Sequence, residues 1–247
     1  MSERFIPRNR GIPETSGSRN RKPNNYGTVQ GIGNLSLGKN VPCTHFISIP
    51  FKDEVFEKSF DAFREDLIKN QSRYNVNENI IQKTKKLHRT IINLYLPDQE
   101  AIDLAKKVLI NEKNAVRKIM EKKSQYKHIV MRGLQDPKNY MRTTSLYANF
   151  TSQAICDITD HLRKAFRRAG IHIITGIPLA NRIVVIQERL LTDENREKID
   201  YSFNPGPVMS KYRDYNFGQF NIEEIHLSRR YKYDSSGYFE HEIVLHF

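Results

Sequence analysis

Residues 87–96, LHRTIINLYL, constrain this chain more than any other stretch, because they read as a buried strand that carries one polar pair at its start. Side chains alternate between the faces of a strand, so His88 and Thr90 share one face while Leu87, Arg89 and Ile91 share the other. An imidazole and a hydroxyl two residues apart can touch one phosphate together. The imidazole gives or takes a proton near neutral pH, and the hydroxyl holds a non-bridging oxygen. Such triplets also arise by chance, and a second stands at His226 and Ser228. The plain alternative for His88 is a strand histidine bonded to a backbone carbonyl. Context favours the first pair: it follows Lys83, Lys85 and Lys86, runs on into apolar residues, and ends at Pro97-Asp98, which opens a helix.

Around this strand the hydrophobic spacing predicts the other elements. Residues 41–49 read as a first strand. A helix follows over 53–69, with Phe56, Phe60, Phe63 and Leu67 recurring at four, three and four residues as one apolar stripe. A helix from 98 to about 109 turns Ile102, Ala105, Val108 and Leu109 inward, and residues 111–127 are charged and ambiguous. Strands are expected at 128–134 and 143–150. The next helix is expected to run from Thr151 as N-cap to Gly170 as C-cap, with Arg163, Lys164, Arg167 and Arg168 on its polar face. Strands resume at 171–174 and 179–186, and the polar segment 187–219 reads as a long surface insertion. The chain closes with a hairpin: a strand over 220–231, a turn at 234–237, and a last strand with Phe239, Ile243, Leu245 and Phe247 alternating inward.

Forty Lys and Arg against 28 Asp and Glu give a formal charge of +12, which favours a polyanionic partner through counterion release. Residues 1–40 contribute seven bases and two acids, so the remainder is basic in its own right. That first segment is rich in Arg, Asn, Gly, Pro and Ser and is expected to be a disordered basic tail. Residues 18–23 suggest a nuclear address or a nucleic-acid contact. The two cysteines, Cys43 and Cys156, have no metal-ligand spacing, and no apolar run approaches a membrane span. The expectation is a soluble, unsecreted protein with no metal and no cofactor.

With Thr44-His45-Phe46, the run from Lys86 to Ile91, and the late run from Ile225 to Tyr231 with Gly237-Tyr238, residues 41–247 resemble the 2H phosphoesterase superfamily. The resemblance is stronger to the branch found in a subunit of the activating signal cointegrator 1 complex and in A-kinase anchoring protein gamma. It implies an α+β, bilobal fold: two antiparallel-sheet lobes, helices packed outside, and a central groove. It also implies two His-x-Thr motifs, one per lobe, acting as base and acid on a 2′,3′-cyclic or 2′,5′-linked RNA phosphate without metal. No KH domain is expected ahead of the match. The second motif belongs on the strand after the second major helix, where its positions fall on Ala180 and Arg182, so it is degenerate. Arg182 can bind a phosphate but cannot exchange a proton at neutral pH.

The leading expectation is therefore a non-catalytic domain that binds RNA or a phosphate-bearing nucleotide through His88, Thr90 and Arg182. The resemblance adds a nuclear coactivator or repair assembly, with subunits of a cointegrator-like complex as partners and no membrane. The alternatives are an active phosphodiesterase that uses His88 with His226 and Ser228, and an interaction module with a vestigial cleft.

Overall fold

The computed structural model describes residues 41–122, 128–136, 143, 145–175, 182–187 and 202–247. The expected tail, Ala180 and most of the segment 187–201 lie outside the described residues. In chain order the elements begin with β1 (His45–Pro50), α1 (Glu54–Lys69), the single turn α2 (Gln71–Tyr74), β2 (His88–Tyr95) and α3 (Gln99–Lys122). Next come β3 (His128–Gln135), β4 (Ser145–Thr151), α4 (Gln153–Arg168), β5 (His172–Ile173) and β6 (Arg182–Gln187). A short helix, Gly206–Tyr212, precedes β7 (Asn216–Asn221), β8 (Glu224–Tyr233) and β9 (Phe239–His246).

Two antiparallel sheets result. The first runs β5-β2-β1-β8-β9 and the second β6-β4-β3-β7, so the two ends of the described chain meet in one sheet, with the short β5 added from the middle, and the other middle strands build the second. The helix α1 begins where Asp53 Oδ1 accepts from the Phe56 amide at 2.9 Å, with Glu54 and Glu57 in the first turn. Its stripe, Phe56, Phe60, Phe63 and Leu67, is wholly buried. It packs mainly on the second sheet, against Phe217 and Phe220 of β7, and touches Phe51 just beyond β1. Each such side chain contributes about 1.5–3 kcal/mol, and Phe60→Ala would cost about 3–5 kcal/mol. On the other flank, α3 packs against α4 and β9, and α4 against β2 and β5.

Several boundaries differ from the sequence reading. The helix expected to stop near 109 continues to Lys122, because Val116 and Met120 extend the buried row of Leu109 at helical spacing beneath a charged exterior. The cap of α4 is Ser152, whose hydroxyl accepts from the Ile155 amide, while Thr151 ends β4. Gly170, just beyond that helix, has φ +77°, which suits a residue without Cβ.

The described part of the expected surface insertion is core: Phe203, Val208, Tyr212 and Phe217 are buried. Its polar composition hid a one-sided aromatic face. Asp66 of α1 pins that segment, accepting hydroxyl bonds from Tyr74 at 2.7 Å and Tyr212 at 2.5 Å and an ammonium bond from Lys211 at 2.9 Å. Burial raises the carboxyl pKa, but these bonds outweigh it and hold it at about 2.

The stretch 220–231 is also not one strand, since Ile222 and Glu223 carry the chain from β7 in the second sheet to β8 in the first. In β9 the register slips between Leu227↔Ile243 and Ser228↔His241. That bulge sends Phe239 to the face opposite Ile243, Leu245 and Phe247, against the expected simple alternation.

Candidate functional site

The strand β2 pairs with β1 so that His88 stands opposite Pro50 and Thr90 opposite Ser48. Nδ1 of His88 lies 2.8 Å from the Lys86 carbonyl, and Nε2 lies 3.1 Å from the Thr90 hydroxyl. A carbonyl only accepts, so Nδ1 carries the proton. In the neutral ring Nε2 then accepts, and the Thr90 hydroxyl donates to it. Both readings of the triplet therefore hold at once: the carbonyl-bonded strand histidine and the imidazole–hydroxyl pair. Burial pulls the His88 pKa down to about 4, the Lys86 carbonyl opposing and the charges of Arg89 and His226 lowering it further. At pH 7 the ring is neutral and the hydroxyl proton is turned inward. Protonation of Nε2 would release that hydroxyl to a ligand.

The same face of the first sheet continues across β1 into β8. Ser48 is paired with Thr90 on one side and with His226 on the other, which gives a polar row Thr90–Ser48–His226. Strands lie about 4.8 Å apart, so Thr90 and His226 are separated by about 10 Å of backbone. Tyr238 fills the gap. Its hydroxyl lies 3.0 Å from Ser48 Oγ, and its ring stands edge-on to both His88 (6.2 Å) and His226 (5.4 Å). Phe46 and Phe239 close round the His88 ring at 5.3 and 5.1 Å.

The second triplet is held differently. His226 Nε2 donates to Glu224 Oε2 at 2.8 Å, and Lys52 binds the same oxygen at 2.6 Å. Nδ1 of His226 is buried with no hydrogen-bond partner among the described residues, as is Oγ of Ser228. Burial lowers the His226 pKa, with the Glu224 bond opposing. Sequence reading missed Ser48, Tyr238 and Glu224 as parts of this arrangement. The alternation of Phe46 with Ser48, and of Glu224 with His226, carried the signal.

In the second sheet Arg182 opens β6 with its Cα opposite Asn149, and Ile183, Val185 and Ile186 behind it are buried. No histidine occurs between His172 and His226. Along α4, Lys164, Arg167 and Arg168 are exposed, with Arg168 lying 3.8 Å from Glu112, whereas Nε of Arg163 is buried. Among the described residues no three His, Cys, Asp or Glu side chains gather as a metal site would. No described helix is long and apolar enough to cross a membrane.

With this geometry in hand, the class of protein is a mixed α+β domain built on two antiparallel sheets with helices packed on them. The family described as the AKAP7 2′5′ RNA ligase-like domain matches residues 43–247, and the chain belongs to it. Activating signal cointegrator 1 complex subunit 1 of Mus musculus is 24% identical over 226 residues, covering 79% of this chain and 60% of the mouse protein. The chain thus spans about 60% of the length of that curated relative. Among solved structures, TT0787 of Thermus thermophilus gives a TM-score of 0.49 at 12% identity, over 82% of this chain and 97% of that one. LigT of E. coli, complexed with NADP+, gives 0.46 at 12% identity, over 83% and 98%.

Proposed function

We propose that this chain is a binding member of its family: it holds the phosphate of an RNA or nucleotide at His88 and Thr90 without turning it over, within a nuclear coactivator or repair assembly. One observation carries the loss of turnover. Where the family pattern needs a proton-carrying pair on the strand after the second major helix, this sequence has Ala180 and Arg182. A guanidinium attracts phosphate but exchanges no proton near pH 7. The basic character beyond residue 40 and the family's RNA-ligase-like description support RNA or a nucleotide as ligand. Relatedness to a cointegrator subunit supports the assembly.

His88 adds a condition to binding. Its neutral ring keeps the Thr90 proton inward, so a phosphate binds best when it brings a proton to Nε2. Affinity is expected to rise as pH falls from 7 toward 5.

A second reading, phosphodiester cleavage by His88 with His226, draws on the unpartnered Nδ1 of His226 and on the carboxylate that orients its ring. The Tyr238 ring between the two histidines weighs against it. One assay separates the readings: hydrolysis of 2′,3′-cyclic and 2′,5′-linked oligonucleotides by the full chain. Very slow or undetectable turnover is expected. Robust activity that vanishes in His226→Ala would replace this proposal with the enzyme.

A further inference from the structure

Away from the histidines, three elements line an open pocket of about 480 Å³: Asp61 and Arg64 from α1, residues 83–86 ahead of β2, and Tyr233, Ser236 and Gly237 from the β8–β9 hairpin. His88, Thr90 and His226 do not line it. Its size falls within the range of about 300–1,000 Å³ typical of small-molecule sites. Four of its side chains are cations, Arg64, Lys83, Lys85 and Lys86, against the single carboxylate of Asp61.

These groups are arranged rather than merely crowded. The Lys86 ammonium sits 3.6 Å from the centre of the Tyr233 ring, which fixes a long side chain that would otherwise lose entropy on meeting a ligand. Nε of Arg64 is buried with no hydrogen-bond partner among the described residues. Lys85 is drawn off toward Glu57 at 3.3 Å. The hairpin wall is rigid, since Asp234 accepts from the amides of Ser236 and Tyr238 and from the Ser236 hydroxyl. Asp61 accepts the Thr84 hydroxyl and so keeps further acceptor capacity at the pocket wall.

A bare anion satisfies the cations but meets the Asp61 carboxylate as like charge. A ligand that joins an anion to hydroxyl donors satisfies both. Gly237 and the edge of the Tyr233 ring, which already carries the Lys86 ammonium and packs against Phe239, add an uncharged side to the wall along which a flat ring can lie. We propose that this pocket binds a nucleotide, its phosphate against Lys83, Lys86 and Arg64 and its ribose hydroxyls toward Asp61, either as a free monophosphate or as the phosphorylated end of an RNA. This goes beyond the reading of the histidine face and does not depend on it.

The test is local to the pocket: amine-reactive footprinting of the full chain, read by mass spectrometry, with AMP, inorganic phosphate and a 5′-phosphorylated RNA trinucleotide as probes. At ten times the dissociation constant, AMP should slow modification of Lys83 and Lys86 about tenfold. Lys58, exposed on α1 outside the pocket, should be unaffected. Arg64→Gln should weaken the protecting affinity about tenfold, the scale of one lost charge-assisted hydrogen bond. Asp61→Asn should weaken AMP but not phosphate. Lys83→Gln, an exposed position that leaves packing intact, repeats the affinity test should Arg64→Gln fold poorly. Stronger protection by the trinucleotide than by AMP identifies an RNA end as the source; the reverse identifies the free nucleotide. Absence of protection at millimolar AMP in low salt, or protection that neither Arg64→Gln nor Lys83→Gln changes, overturns the proposal. RNA affinity lost on altering the β6 strand is a separate result, because the lysine readout reports only this pocket.

Discussion

The two sheets share an architecture and differ in what their functional strands can do. In the first, β2 presents His88 and Thr90 as a hydrogen-bonded pair, and the row extends through Ser48 to His226. In the second, β6 starts with Arg182 and continues in buried Ile183, Val185 and Ile186. The first sheet presents a residue pair that can move a proton, and the second opens its β6 strand with a residue type that carries only charge near pH 7. Folding does not enforce the first pattern, since β6 pairs with β4 and is buried behind Arg182 without it. A strand's packing face and its chemical face can therefore diverge independently.

Restoring the second sheet should produce the largest effect. Ala180→His together with Arg182→Thr places the family's His-x-Thr pattern on the strand, one acid–base imidazole beside a phosphate-holding hydroxyl, and a positioned acid–base group contributes typically about 10²–10⁴-fold. Hydrolysis of a 2′,3′-cyclic nucleotide should rise by about 100-fold or more over the unaltered chain, measured as initial rate at saturating substrate. No gain in a folded double variant would mean that the first sheet, with His88 enclosed by Phe46, Phe239 and Tyr238, has also lost catalytic competence.

The enclosed histidine predicts a pH effect that belongs to the first sheet. Its pKa falls from an ordinary 6.5 to about 4 on folding, so the unfolded chain binds the proton more tightly. The stability is present in full above about pH 6.5 and is lost as pH drops toward 4. Allowing for the part of the ring that meets solvent, the loss is about 2 kcal/mol, read as a falling urea midpoint. His45 and His226 are lowered in the same direction, also by burial, and add to it. His88→Gln should make the profile between pH 6.5 and 4 shallower, leaving the part due to His45 and His226, and an unchanged profile would show that the ring is solvated in the folded protein.

Asp66 has the same sign in a lower window. Held at about 2 against an ordinary 3.8, it stabilises above about pH 4, and that contribution fades as pH falls through 2. Asp66→Asn should cost about 1–2 kcal/mol at pH 7, measured by the same urea midpoint, and should loosen the segment around Tyr212 rather than the histidine face.

How far the sequence disclosed this molecule follows from what each residue reports. The Phe56–Leu67 stripe and the His88–Thr90 alternation were legible because periodicity states a local fact about one element. The fate of 202–219 was not, because buried aromatics among polar residues reveal their face only when α1 is there to receive it. The face occupied by Phe239 was hidden for a related reason: a one-residue bulge at the Leu227/Ser228 pairing reverses alternation and leaves no local mark. The position of Tyr238 between His88 and His226 joins residues far apart in the chain, which no window can see. The Lys86–Tyr233 contact at the second pocket is of the same kind.

The smallest effect is the one that tests whether the second sheet kept a function at all. If Arg182 neutralises one phosphate, RNA affinity measured by fluorescence anisotropy should weaken several-fold in Arg182→Ala. The dependence of log K on log salt should then become shallower by about 0.7, the contribution of one phosphate on a single strand. The basic segment 1–40 adds its own salt dependence, so the comparison belongs in the full chain and again in residues 41–247. A real contact at β6 shifts the slope by the same amount in both, because the two contributions are then independent. If removing residues 1–40 abolishes binding and Arg182→Ala changes neither slope, the charge on β6 has no ligand, and both sheets together are a scaffold carried beside a basic, RNA-binding tail.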